Sequence, residues 1–156
     1  MRSTNYYGAL HGHLDIVKIF FENTNYDINV KDSCGITPIM DAVSGNHNHV
    51  VKFFIENGYP LMHYSIASLK EEDKLGRNVL HLAAEAGNLE YIRCLVKTHN
   101  MSLDSQTVHG LSPLHFACKE NNIDAFNLLL QLGANCDLKD KRGRSGFKKF
   151  YLYYTL

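Results

Sequence analysis

Histidine is the side chain of this sequence best suited to chemistry, because its imidazole titrates near neutral pH and binds metal ions. Two pairs, His11/His13 and His47/His49, each leave one residue between their members. Residues two apart on a helix do not share a face, and no carboxylate or thiol lies at a spacing that would complete a zinc site. We therefore expect no metal and no other cofactor.

Two further histidines, His81 and His115, occupy the same place in two similar segments of the chain. A catalytic or metal-binding role for either histidine is the alternative to a structural one. The sequence contains no nucleophile elbow, no phosphate-binding or dinucleotide-binding glycine loop and no zinc-protease helix motif. We therefore predict no catalytic residue and no enzymatic activity.

The cysteines give a second constraint. Cys34, Cys94, Cys118 and Cys136 are scattered, and no two of them form a CxxC pair. No apolar signal segment follows the first residues. This pattern favours reduced thiols in an intracellular protein. We expect a cytoplasmic location, with the nucleus as the alternative.

Composition and charge restrict the class of partner. The 156 residues are 45% hydrophobic and 21% charged, which is typical of one folded soluble domain. Sixteen basic residues balance sixteen acidic ones, so no global field attracts nucleic acid or an anionic membrane. The longest apolar runs are far shorter than the roughly 20 residues of a membrane-spanning helix. We expect neither a membrane nor a nucleic acid as partner.

A repeated segment contains His81 and His115. A six-residue motif occurs three times, at Thr37–Ala42, Asn78–Ala83 and Ser112–Ala117. Nine residues after each start comes a turn-forming pair, and then apolar residues follow three and four apart, the spacing of a helix with one buried face. Weaker copies start at Ser3 and Ser145. The five starts are separated by 34, 41, 34 and 33 residues.

The segments Thr-Pro-Ile-Met-Asp-Ala, Asn-Val-Leu-His-Leu-Ala and Ser-Pro-Leu-His-Phe-Ala, at this period, resemble the ankyrin-repeat family, whose unit has about 33 residues. The resemblance covers nearly the whole chain. It implies an all-α ankyrin-repeat solenoid of stacked helix-turn-helix repeats joined by β-hairpin loops. We expect a single domain, 1–156, with repeats near 1–30, 31–71, 72–105 and 106–138 and a partial repeat at 139–156.

The helix starts agree with that resemblance. Thr37 and Ser112 carry hydroxyls suited to capping a helix, and each precedes a proline, which the first helical position tolerates. In the family, the motif histidine ties a helix start to an adjoining loop by hydrogen bonds. The resemblance implies this structural role for His81 and His115.

Two features depart from the family pattern: the spacing of 41 residues between the starts at Thr37 and Asn78, and the C-terminal tail after Ser145. About eight additional residues lengthen the connection at 59–72, either as a tolerated surface loop or as a specificity loop that reaches a partner. The chain ends in an apolar segment that follows Ser145. This tail either folds back as a capping helix, or the chain is a piece of a longer repeat protein.

The family binds partners through hairpin tips and the exposed side of each first helix. Leu75, His109 and Phe116 are the best candidates for a dry hot spot; the alternative is that these are unconstrained surface positions. Transfer by motif position nominates Tyr7, Leu10, His11, Ser33, Cys34, Ser44, Gly45, Lys74, Leu75, Glu85, Ala86, Val108, His109, Phe116, Lys119 and Glu120.

A basic run follows the fourth repeat, where six lysines and arginines occur between Lys139 and Lys149. Such a run is either a set of solvated turn positions or a contact for RNA or an acidic peptide. A narrower likeness, carried by Gly12–Leu14, Asp32–Ala42 and Asp73–Gly76, is to an ankyrin-repeat protein linked to alanyl-tRNA synthetase. We predict a monomeric scaffold that binds another protein, with a synthetase-associated cofactor of translation quality control as the alternative.

Overall fold

The chain comprises two compact units, Met1–Lys74 and Leu75–Leu156, here called unit 1 and unit 2. The structure, a computed structural model, describes residues 4–23, 30–57 and 69–146. Within those ranges the regular elements are all α-helices. This confirms the predicted all-α class.

Unit 1 contains two helical pairs. The first pair is α1 (Thr4–Leu10) and α2 (Leu14–Asn23), and the second is α3 (Pro38–Ser44) and α4 (Asn48–Asn57). The first helices α1 and α3 pack against each other, and the second helices α2 and α4 do the same. Each pair thus covers the apolar face of the other, as stacked repeats require.

Unit 2 repeats this arrangement. Its pairs are α5 (Val79–Ala86) with α6 (Leu89–Lys97) and α7 (Pro113–Lys119) with α8 (Ile123–Gln131). Helix α5 packs on α7, and α6 packs on α8. The predicted β-hairpin loops are tight turns: the described ranges hold no strand, and Lys139 and Ser145 form an isolated antiparallel bridge.

Left-handed residues turn the chain between the two helices of each pair. Gly12, Asn46, Gly87 and Asn121 have φ angles of 73°, 58°, 70° and 59°. Glycine adopts this conformation without strain, and asparagine tolerates it better than most residues. The turn-forming pairs predicted nine residues after each repeat start are therefore confirmed.

The core of each unit lies between its helical pairs. Met40 and Val50 are fully buried in unit 1, and Leu80, Ile92 and Leu129 are fully buried in unit 2. Full burial of one such side chain stabilises a fold by roughly 1.5–3 kcal/mol. Each unit therefore depends on the contact between its own two pairs.

Only the end of the predicted 59–72 insertion lies within the described residues, at 69–72. Leu69 is buried, with 1% of its surface exposed. Lys31 pairs with the Glu71 carboxylate and donates a hydrogen bond to the Glu72 carbonyl oxygen at 3.0 Å. Lys31 thus ties the end of the insertion to another segment of unit 1, while Lys70 and Glu72 are exposed. The remainder of the insertion, the repeat start at Ser3 and the tail after Gly146 lie outside the described residues.

The buried hydroxyl of Tyr91, in α6, lowers the stability of the core. It is buried without a hydrogen-bond partner among the described residues, and burial, with a smaller effect of Cys94, raises the pKa of Tyr91 above its ordinary value. A buried hydroxyl that lacks a partner is destabilising. Tyr91→Phe is therefore expected to raise the free energy of unfolding by about 1 kcal/mol, measured by urea denaturation. A loss of stability of about that size would contradict this account.

Candidate partner-binding surface

His81 is fully buried in α5. Its Nδ1 accepts a hydrogen bond from the Asn78 backbone N–H at 3.2 Å. Its Nε2 lies 3.0 Å from the carbonyl oxygen of Ser105 and 3.2 Å from that of Leu111. Because carbonyl oxygens only accept, Nε2 carries the hydrogen. This imidazole thus holds the start of α5 against the loop of the next repeat.

His115 has the equivalent role at the start of α7. Its Nδ1 accepts from the Ser112 backbone N–H at 3.2 Å and lies 2.8 Å from the Ser112 hydroxyl oxygen. Its Nε2 lies 3.0 Å from the Arg144 carbonyl oxygen. Both motif histidines therefore have the structural role that the resemblance implied.

An aspartate closes two of the tips, the turns at 32–36 and 140–144 that precede a first helix or end the fourth repeat. The Asp32 carboxylate accepts hydrogen bonds from two backbone N–H groups, those of Cys34 and Ile36, at 2.8 and 2.9 Å. Asp140 accepts in the same way from Arg142 and Arg144, both at 2.9 Å. An aspartate that accepts hydrogen bonds from backbone N–H groups a few residues later is a standard means of closing a turn. The tips are therefore fixed locally.

Backbone hydrogen bonds also join neighbouring tips. In unit 2, the Val108 N–H donates to the Leu75 carbonyl oxygen at 3.0 Å, and the Lys141 N–H donates to the His109 carbonyl oxygen at 3.0 Å. Leu75, Val108, His109 and Lys141 are here called the unit 2 tips. In unit 1, the Lys74 N–H donates to the Cys34 carbonyl oxygen at 2.9 Å.

Most of the residues nominated in unit 2 are accessible to a partner. Leu75 and Val108 are large apolar side chains with 46% and 47% of their surface exposed. His109, Lys119 and Glu120 are exposed as well, and Glu85 and Ala86 are half-buried.

Phe116 was wrongly assigned to the exposed hot spot. It has only 6% of its surface exposed, and its ring packs edge-on against His81 with centroids 5.4 Å apart. Its position next to the motif histidine makes it part of the packing between α5 and α7. It contributes the wall of a cleft rather than a free contact.

The residues nominated in unit 1 divide into accessible and structural ones. Tyr7 is 58% exposed and stacks on His11, with ring centroids 6.0 Å apart. Leu10 is half-buried, and its carbonyl oxygen lies 2.9 Å from the His47 Nε2. A Cβ atom on Gly45 would lie 2.5 Å from the His47 ring, so Gly45 is a packing position. The other accessible positions are Ser33, Cys34, Ser44 and Lys74.

The paired histidines are closer together than a helical arrangement predicts. His11 and His13 lie in the turn after α1, and their ring centroids are 6.2 Å apart; those of His47 and His49 are also 6.2 Å apart. The expectation that both members of each pair lie on a helix is therefore wrong, because His11 and His13 lie in a turn and His47 precedes α4. Within residues 4–23, 30–57 and 69–146, no group of three or more potential ligands is placed to hold a metal ion.

Unit 2 contains a cleft of about 390 Å³ between α7 and the tip that carries Lys141. Leu111 and Phe116 form apolar parts of its lining. Lys119, Lys141, Arg142 and Arg144 supply four cationic groups, and Asp140 supplies one carboxylate. We call this the basic cleft.

Some charges of the basic cleft are already paired. The Arg144 guanidinium bonds the Asp140 carboxylate at 2.6 and 2.8 Å. Burial alone raises the pKa of Asp140, but hydrogen bonds from the Arg144 side chain and from the Arg144 and Arg142 backbone outweigh it and bring the pKa to about 2. Asp140 is therefore ionised at neutral pH and neutralises Arg144.

Lys119 is the second paired cation of the basic cleft. Its Nζ lies 2.8 Å from a carboxylate oxygen of Glu120 and 3.5 Å from one of Glu85. The hydrogen bond with Glu120, followed by the attraction of both carboxylates, raises the pKa of Lys119 against the opposing effect of partial burial. Lys141 and Arg142 make no ion pair with the residues that the structure describes.

The sequence prediction missed Lys141 and Arg142 as site residues. Leu75, Val108 and Lys141 are separated by 33 residues each, so the repeat period already indicated that Lys141 occupies a tip. The sequence also predicts a hairpin turn at Asp140–Gly143, but neither cation is among the predicted partner-binding residues. The basic cleft is formed by side chains of α7 and of the Lys141 tip together. A sequence motif does not show how these side chains pack.

Repeated helical pairs with aligned, hydrogen-bonded tips define a helical-repeat protein. A family model described as ankyrin repeats, in three copies, matches residues 6–68 and 56–140 of this chain. The chain belongs to the ankyrin-repeat family, as the sequence predicted. Ankyrin repeats in general are protein–protein interaction modules.

Relatives with ankyrin repeats are diverse. Ankyrin repeat protein nuc-2 of Neurospora crassa is 26% identical over 88% of this chain and 15% of its own length. The nuclear factor NF-kappa-B p105 subunit of Gallus gallus is 28% identical over 87% of this chain and 14% of its own length. Alpha-latrocrustotoxin-Lt1a of Latrodectus tredecimguttatus is 28% identical over 81% of this chain and 8% of its own length. The chain therefore spans only a small part of these relatives.

The helices of the described ranges are short, with ten residues in the longest. Across residues 4–23, 30–57 and 69–146, none has the length and apolar character that a membrane-spanning segment needs.

Proposed function

We propose that this chain is a non-catalytic, monomeric scaffold that binds a partner protein through its tips and the exposed sides of its first helices. The observation that carries this proposal is the pair Leu75 and Val108. Both are nearly half exposed, and the hydrogen bond between their backbones places them on one surface. Exposed apolar side chains on a rigid surface are typical of contact sites.

An intracellular location is part of this proposal. All four cysteines are free thiols in the structure, which agrees with a reducing compartment. Cytoplasmic and nuclear partners are both compatible with that environment.

Affinity purification with cross-linking and mass spectrometry tests the scaffold proposal. Leu75→Ala with Val108→Ala is expected to weaken capture of the principal partner at least about tenfold, because two apolar contacts are lost from the centre of the surface. Ile19→Ala with Ile123→Ala is the matched control, since these exposed apolar residues lie on second helices α2 and α8. Equal losses in both double variants would exclude the tips as the binding surface.

The second candidate function is a synthetase-associated cofactor of translation quality control. The likeness of Asp32–Ala42 and Asp73–Gly76 to such a protein supports it, together with the cations of the basic cleft. Binding that passes through charged tRNA would weaken steeply with added salt, because counterions compete for phosphates. Capture that persists at high salt favours the scaffold function.

A further inference from the structure

The basic cleft has a specific charge pattern. Four of its lining groups are cationic and one is a carboxylate. Arg144 is neutralised by Asp140, and Lys119 by Glu120 and Glu85. Lys141 and Arg142 are both exposed and form no ion pair within the described part of the chain. Two cations at one tip therefore remain available to a ligand.

Apolar surface adjoins these two cations. Leu111 and Phe116 contribute to the lining of the cleft. The Lys141 tip is hydrogen-bonded to the tip that carries Val108, which is in turn bonded to Leu75. A ligand that follows the tips therefore meets two exposed apolar side chains and then two cations.

We infer that the basic cleft binds an acidic segment of a partner protein, with carboxylates on Lys141 and Arg142 and an apolar side chain against Leu75 or Val108. This inference rests on the proposed scaffold function and specifies the chemistry of the partner. Charge complementarity of this kind gives specificity and faster association more than raw affinity. Arginine additionally offers a bidentate contact to a carboxylate.

A nucleic acid fits this surface less well. Binding to nucleic acid depends mainly on the number of phosphates that lysines and arginines neutralise, and this cleft offers two unpaired cations among the described residues. A third cation of the cleft, Lys119, is already paired with the carboxylates of Glu85 and Glu120. The exposed side chains of Leu75 and Val108 are apolar and offer no hydrogen bond or charge to a sugar-phosphate chain.

The chain's own last residues are also a poor match for the cleft. Residues 147–156 contain two lysines and no aspartate or glutamate. Their charge has the same sign as that of Lys141 and Arg142. This segment is therefore not the acidic one that the basic cleft would bind.

Selection from a random dodecapeptide display library against the full chain tests the inference. The enriched peptides are expected to combine aspartate or glutamate with at least one large apolar residue. The strongest of them is then synthesised, and its Kd is measured for the wild type and for Lys141→Gln with Arg142→Gln. This double variant is expected to bind about tenfold more weakly or worse, with unchanged helicity by circular dichroism.

Arg93→Gln with Lys97→Gln is the matched control. Both residues are exposed on α6, and the pair removes the same charge from the second-helix side of unit 2. The control is expected to bind within about twofold of the wild type, because long-range charge effects are screened at physiological salt. A loss equal to that of the Lys141 and Arg142 variant would show a general field effect and overturn the inference.

Other outcomes separate this inference from the scaffold function. Enriched peptides without acidic residues, or none enriched at all, overturn the acidic specificity. The scaffold function would still be tested separately, by partner capture with the Leu75→Ala and Val108→Ala double variant. Tighter binding of an oligouridylate than of the selected peptide, lost in the Lys141 and Arg142 variant, would reassign the cleft to nucleic acid. Concentration-dependent dimerisation that the same variant abolishes would reassign it to a second copy of this chain.

Discussion

Replacement of His81 by alanine is expected to lower the free energy of unfolding by about 2–4 kcal/mol. The side chain is fully buried, so the truncation leaves a cavity. It also removes the donor to the Ser105 and Leu111 carbonyl oxygens and the acceptor of the Asn78 N–H. Buried polar groups that lose their partner incur the full cost of desolvation. Urea denaturation followed by circular dichroism measures the change.

Two variants isolate the cause of the His81 effect. His109→Ala removes an exposed imidazole of the same unit, and its effect is expected to be within about 0.5 kcal/mol. His81→Leu restores much of the volume but none of the hydrogen bonds, and a loss of about 1–3 kcal/mol should remain. Full stability in the leucine variant would show that the imidazole acts only by filling space.

Gly110→Ala is expected to destabilise the chain by about 3 kcal/mol. Gly110 has a φ angle of 77°, a conformation that costs an L-residue roughly 1–2 kcal/mol. A Cβ atom there would also lie 3.0 Å from the Lys141 nitrogen and 3.1 Å from the Asp140 Cα. Overlap with backbone adds about 1–3 kcal/mol, because the neighbouring tip must move. Thermal and urea denaturation both report this change.

Gly143 provides the matched control for Gly110. Its φ angle of 73° is nearly the same, but a Cβ atom would have no described atom within 4 Å. Gly143→Ala is therefore expected to lose only about 1 kcal/mol, the conformational part of the effect. Equal losses at the two positions would mean that contact between tips contributes little to stability.

The sequence predicted the helical pairs well because each has strong local determinants. Thr37 accepts a hydrogen bond from the Met40 N–H at 3.4 Å, and Asn78 accepts one from the Leu80 N–H at 3.1 Å, as expected for residues that begin a helix. The apolar periodicity then identified the buried faces. These signals lie within one repeat and need no knowledge of its neighbours.

The candidate site was harder to predict because it depends on contacts between repeats. Phe116 has the aromatic character of a hot spot, but packing against His81 buries it. Gly45 occupies a position that is exposed in the motif, but the His47 ring covers it. Lys141 and Arg142 belonged to a recognised basic run, but only the ion pairs of Arg144 and Lys119 show which cations are left for a ligand.

The bonds between neighbouring tips have an evolutionary consequence. Main-chain hydrogen bonds join Leu75 to Val108 and His109 to Lys141, and any residue except proline can donate such a bond. Side chains at Leu75, Val108 and Lys141 can therefore be exchanged without dismantling the repeats. Mutation can alter what this surface recognises while the scaffold that presents it stays the same.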